Sequence, residues 1–282
     1  NQHASYLESR VQSRNNILKS LAGTTWGKDK ETLLTTYKAI GQSVINYSCP
    51  IWTPNLKQTN WDSIQVAQNS ALRTALGCVN KTAISHLHAE SKMMPVKDHC
   101  EMLSKQFLLA TQKDDHPNNC DLNTPTVPRV TKKTLQIRFG DYIKDIHPHD
   151  TALEPDDYKM LLKRIHTESV NTTISNLENN KVLNELPPPI NDAEKELPRR
   201  TRCLLSQLRS GYSSMLNSYL SVVDNNIEDK CPNCHQISHT TEHLFNCPSA
   251  PTELTPKSLW TKPLEAAQFL GLDTGIPIDD HG

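Results

Sequence analysis

CPNCHQISHTTEHLFNC, residues 231 to 247, puts three of the chain's eight cysteines and three of its twelve histidines within seventeen residues. Thiolates and imidazoles are the ligands zinc takes, four at a time and at tetrahedral corners. Cys231 and Cys234 form a C-x2-C pair, which brings two sulfurs to one ion across a tight turn at little cost in loop entropy. His243 and Cys247 are four apart, so a single helical turn points both to one side. The pattern C-x2-C-x8-H-x3-C predicts a structural zinc site, because four protein ligands leave no open position for a reacting water. Thr240 or Thr241 is placed to cap the turn, and Leu244 or Phe245 to form a small core beneath the ion. His239 competes with His243, since C-x2-C-x4-H opens a retroviral-type knuckle. In that spacing the last cysteine's place is taken by Leu244, which favours His243 and leaves His239 as the alternative; His235 is crowded beside Cys234.

Between Cys234 and Cys247 there is no Lys or Arg and one aromatic residue, Phe245, whereas single-strand binding uses a basic groove with stacking platforms. The better candidate for phosphate contact lies upstream in LPRRTRCLLSQLRSG. There Leu204, Leu205 and Leu208 share one helical face, and Arg199, Arg200, Arg202 and Arg209 are expected on the other, set against Glu194 and Glu196. Other clusters carry less chemistry. The carboxylate pairs Asp114 with Asp115, Asp156 with Asp157 and Asp279 with Asp280 read as solvated turns or helix starts. HLH at 86 to 88 and HPH at 147 to 149 lack a further ligand at metal spacing. No Walker loop, G-x-S-x-G, G-x-G-x-x-G or H-E-x-x-H occurs, so no catalytic apparatus is expected.

The elements that must hold these residues read as helices. A helix is expected over about 4 to 22, closed by a left-handed Gly23, and a second from Lys30 on the stripe Leu33, Leu34, Tyr37, Ile40, Val44 and Tyr47, ended by Pro50. A third runs from a Thr59 cap to Gly77, and a fourth starts near Pro95. Trp26, Trp52 and Trp61 fall at helix junctions as core anchors. The expected class is mainly α: an N-terminal helical bundle over 1–111, an irregular linker and poorly defined region over 112–192, a basic helical segment over 193–222, a CCHC zinc knuckle over 226–250 and a tail over 251–282.

Composition narrows the function. Eighteen Pro against nine Gly suit helices joined by stiff polar connections. A formal net charge of -1 gives no whole-chain field toward nucleic acid or membrane, so any such binding must be local. No apolar run reaches the roughly 18 residues of a membrane span. Scattered single cysteines beside one cluster fit a reducing compartment, cytoplasm or nucleus. The start at Asn1, already close to a helical pattern, reads as a piece of a longer polypeptide.

RVQSRNNILKSLAGTTWGKDKETLLTTYKAIGQSVINYSCPIWTP, followed by LPRRTRCLLSQLRSG and a Cys/His knuckle ending HLFNCP, resembles the C-terminal part of the polymerase of non-LTR, LINE-type and jockey-like retrotransposons. The resemblance spans most of residues 4 to 111 and 195 to 250. It implies a helical thumb that holds an RNA or RNA/DNA duplex, with knuckle ligands at Cys231, Cys234, His243 and Cys247. The family's aromatic-x-D-D palm motif is absent, as is an endonuclease domain, so a non-catalytic fragment of an RNA-directed DNA polymerase is implied. The alternative is a zinc-stabilised protein-interaction module that binds no nucleic acid.

Overall fold

The computed structural model describes residues 2–23, 26–113, 115–119, 134–147 and 153–275. Among them every regular element is helical, and the nearest approach to a strand pair is an isolated antiparallel bridge between Lys230 and Ser238. The mainly α class expected from the sequence is the class of the protein. No helix among the described residues is long and apolar enough to cross a membrane.

The first helix, α1 (Gln2–Leu21), buries Leu7, Val11 and Leu18 at helical spacing. Gly23 does not adopt the left-handed conformation; Trp26 lies against its bare Cα and is 72% exposed, not a core anchor. The second expected helix is broken into α2 (Lys30–Tyr37), a π-helical turn over Lys38–Gln42, α3 (Ser43–Asn46) and α4 (Cys49–Trp52). The wider turn rotates the residues after it, so Ile45 is buried while Tyr47, expected on the apolar stripe, stands 78% exposed. Pro50 opens α4 rather than ending a helix, since its missing N–H falls where no intrahelical acceptor is needed. Next come α5 (Gln58–Leu76), stopped by Gly77 at φ +71, then α6 (Ile84–Ser91) and α7 (Val96–Ala110) behind Pro95.

The poorly defined part of 112–192 holds two helices, α8 (Leu135–Ile146) and α9 (Pro155–Ser175). Phe139, Ile143 and Ile146 of α8 and Leu161 and Ile165 of α9 join Met102, Leu108 and Leu109 of α7 in one apolar cluster. DDYKMLLKRI reads as a helix and TLQIRFGDYI as a short strand or a helix, but the flanking Pro, Asn and Asp concealed their full extent. Cys120, Asp114, His149, Asp279 and Asp280 lie outside the described residues.

After a short 3-10 turn over Asp192–Glu196 come α10 (Arg199–Arg209), α11 (Asn217–Val223), α12 (Thr241–Asn246), α13 (Ser258–Thr261) and α14 (Pro263–Phe269). Gly211, at φ +73, makes the expected stop behind α10. The expected tail is folded in its first part: Leu259, Trp260, Ala266 and Ala267 share a core with Leu205, Leu208, Leu216 and Phe245.

The chain gathers into two compact units, each assembled from separate stretches. The first takes Asn1–Asn15, Lys38–Gln68 and Met94–Asn176; the second takes Asn16–Tyr37, Asn69–Met93 and Leu177–Gly282. Residues 1–111 therefore divide between two units instead of forming one bundle, because which helices pair is decided by contacts far apart in sequence.

Candidate metal centre and the arginine helix

The Cys/His cluster sits in the second unit, on a scaffold of little more than turns. Cys231 donates its backbone N–H to Ile237 O at 2.8 Å, and the Cys231 carbonyl accepts from the His235 N–H at 2.9 Å. His235 takes the left-handed conformation, φ +55, which lets the chain reverse directly after Cys234. The other half of the site rides on α12, whose N-cap is Thr240, one of the two candidates: its hydroxyl accepts from the His243 N–H at 3.2 Å. Thr241 does something else, donating its hydroxyl to the Leu208 carbonyl of α10 at 2.9 Å.

Ligand atoms of Cys231, Cys234, His243 and Cys247 all lie within 4.8 Å of one another. Cys231 Sγ is 3.8 Å from Cys247 Sγ, and Cys234 Sγ is 3.3 Å from His243 Nε2. With zinc–sulfur bonds of about 2.3 Å, two thiolates at tetrahedral corners sit about 3.8 Å apart, so the sulfur edge fits one ion. Backbone N–H groups of Gln236 and then Ile237 bring the Cys234 thiol down to about 6, towards the thiolate a metal needs. The Asn233 N–H points at Cys231 Sγ at 3.4 Å, a support from outside the ligand set. The four residues could hold a metal ion, and the Cys3His donor set is compatible with zinc.

His239 is absent from this group. Its Nδ1 accepts the N–H of Asn217, the first residue of α11, at 3.1 Å, and its carbonyl accepts the Ser218 hydroxyl at 2.8 Å. The imidazole caps a helix start, and burial lowers its basicity.

The arginine helix departs most from expectation. Arg209 is 0% exposed and Arg202 6%. Arg209 Nη1 donates to Glu90 Oε1 of α6 at 2.8 Å, Nη2 to Glu194 Oε2, and both Nε (3.0 Å) and Nη2 (2.6 Å) to the Leu259 carbonyl of α13. Its guanidinium carbon lies 5.7 Å from the centre of the Trp260 ring. Arg202 donates to both carboxylate oxygens of Glu31 at 2.7 Å, and Lys30 bridges Glu90 and Glu194 at 3.4 and 3.1 Å. Arg199 donates to the Ala75 and Thr74 carbonyls at 3.1 and 3.2 Å, a cation on the last turn of α5. Of the four, Arg200 alone is exposed to solvent.

Arg202 and Arg209 are therefore internal and Arg199 is half-buried, so the open basic face read from the sequence is corrected to Arg200 alone. Burial alone would raise the Glu90 carboxyl; Arg209 and then Lys30 and His86 outweigh it and hold it at about 2. Glu194 stood beside the helix in the sequence, but Lys30, Glu31 and Glu90 gave no sign of belonging to the same site. His86 and His88 are buried, with His88 Nδ1 2.8 Å from the Met93 carbonyl and His86 Nδ1 3.5 Å from Asn180 Nδ2, so neither belongs to the metal cluster. Asp156 and Asp157 occupy the first turn of α9, as a helix start should.

No protein family, curated protein or solved structure matches this chain.

Proposed function

We propose that this chain is a non-catalytic part of a retrotransposon-type RNA-directed DNA polymerase, in which its second unit serves as a zinc-stabilised scaffold inside the cell. The observation that carries the zinc assignment is the convergence of three thiols and one imidazole within 4.8 Å. Three soft sulfurs and one borderline nitrogen suit zinc over magnesium or calcium. Four protein ligands close the coordination sphere, which makes the ion's role structural. The polymerase context rests on the resemblance of residues 4 to 111 and 195 to 250.

Contact with an RNA or RNA/DNA duplex needs charges that solvent can reach, and Arg202 and Arg209 are spent on the protein's own carboxylates. Backbone binding would fall to Arg200 and to exposed lysines. The burial of this helix favours the second reading, a zinc-stabilised protein-interaction module without nucleic-acid contact.

Metal analysis of the purified chain separates the parts of the proposal. One zinc per chain is expected, lost in Cys231→Ala and Cys247→Ala; a metal-free, folded wild type would overturn the scaffold reading. Binding to an RNA/DNA duplex at low salt, weakened by Arg200→Ala and falling steeply with salt, would carry the polymerase reading. Its absence at low salt leaves the interaction module.

A further inference from the structure

Two polar centres of the second unit meet on α10 at neighbouring residues. The Leu208 carbonyl receives the Thr241 hydroxyl of α12, the helix that carries His243 and leads into Cys247. Arg209, the next residue, closes over Glu90 and Glu194 and holds the Leu259 carbonyl. The same elements also touch through apolar groups. Phe245, which lies between His243 and Cys247, stacks on Phe269 of α14 with ring centres 5.8 Å apart and shares a core with Leu208 and Trp260. Trp260 in turn lies beside the Arg209 guanidinium.

Neither centre is self-sufficient. The metal ligands sit on a six-residue helix and one isolated bridge, far below the roughly 12 to 15 residues at which a helix becomes even marginal alone. The buried carboxylates of Glu90 and Glu194, each 2% exposed, depend on Arg209 staying in register with Leu259. A shift of α12 off α10 disturbs both.

We propose that metal binding at Cys231, Cys234, His243 and Cys247 and closure of the Arg209–Glu90–Glu194 cluster are one coupled equilibrium, so that the metal state sets whether the second unit is closed around its buried charges. Removing the ion, or oxidising its thiols with a disulfide reagent, then loosens α6 and α10 together with the knuckle. The proposal rests on the metal site described above and adds its regulation. Linkage makes the coupling reciprocal: whatever the metal does for the ion cluster, the cluster does for metal affinity.

The test measures zinc affinity by competition with a chromophoric chelator, and hydrogen exchange with and without zinc, on the full chain. Arg209→Met, which keeps the length and removes the charge, is expected to weaken zinc binding by about 5- to 150-fold. Thr241→Val, which removes the hydroxyl held by the Leu208 carbonyl and leaves Arg209 and the carboxylates unaltered, should weaken it in the same direction. Chelating zinc from the wild type should remove amide protection at Ile84–Ser91 and Arg199–Arg209 as well as at 229–247. Deprotection confined to 229–247, or unchanged zinc affinity in a folded Arg209→Met, overturns the coupling. Should that variant not fold, Glu194→Gln and Thr241→Val decide by the same affinity measurement. A wild type that takes up one zinc without these effects rejects the coupling alone, whereas a wild type that takes up none rejects the metal site itself.

Discussion

The interiors of the two units are made of different material. In the first, α7, α8 and α9 meet through Met102, Leu108, Leu109, Phe139, Ile143, Leu161 and Ile165, and the ion pairs on α9, Arg164 with Glu168 and Lys159 with Asp156, lie at the surface. In the second, an apolar core around Leu205, Leu208 and Trp260 is joined by an arginine 0% exposed and two carboxylates 2% exposed. Apolar contact is non-directional and yields to small changes of shape, while a buried charge loses most of its compensation when one partner goes. The difference says where each unit is fragile: the first in its volume, the second in its partners.

The largest effect should come from breaking that contrast directly. Arg209→Ala leaves Glu90 and Glu194 buried with Lys30 and Arg202 as the remaining cations, at a cost of about 3 to 5 kcal/mol in denaturant unfolding of the second unit. Ile165→Val in the first unit, at a residue 0% exposed, should cost about 0.5 to 1.5 kcal/mol. Equal losses at the two sites would erase the distinction. Acid sharpens it further. The folded Glu90 carboxyl is held at about 2 against an ordinary value of 4.5, so its contribution is fully present above pH 4.5 and is lost as pH falls toward 2. Glu90→Gln should start less stable at neutral pH and lose less than the wild type over that window; parallel acid curves would show that the carboxylate contributes nothing through its charge.

How much of this was legible in the sequence depended on how local each interaction is. The four residues that could hold a metal lie within seventeen residues, and spacing alone pointed to the three cysteines and preferred His243 while leaving His239 open. The arginine helix failed that kind of reading. Its period placed Leu205 and Leu208 inward correctly and Leu204, which is only half-buried, in part, but polar residues were assigned to solvent by default. The partners that draw Arg209 and Arg202 inward, Glu90 and Glu31, lie 119 and 171 residues away. α8 and α9 were legible only in part for a related reason. DDYKMLLKRI reads as a helix and TLQIRFGDYI as a short strand or a helix, but neighbouring Pro, Asn and Asp signalled loop and hid how far each helix runs and that Phe139, Ile143, Leu161 and Ile165 form one buried stripe.

The smallest effect expected is also the one that separates metal ligand from structural partner. Both His239 and His243 were possible third ligands by spacing, and both are buried. His243 Nε2 faces Cys234 Sγ at 3.3 Å, so His243→Ala removes one corner of the tetrahedron and should cost most of the zinc affinity. The His239 imidazole instead accepts the Asn217 N–H at the start of α11, and Ser218 reaches its carbonyl rather than its ring. His239→Ala should therefore keep one zinc per chain and lose about 0.5 to 2 kcal/mol, the range for losing a helix-capping acceptor. The loss should show as faster amide exchange at the first turn of Asn217–Val223, because the backbone bond from Ser218 to the 239 carbonyl survives the substitution. Zinc lost with His239→Ala and kept with His243→Ala would exchange the two roles, placing the third ligand beside the bridge between Lys230 and Ser238 and tying α12 to the ion only through Cys247 at its end.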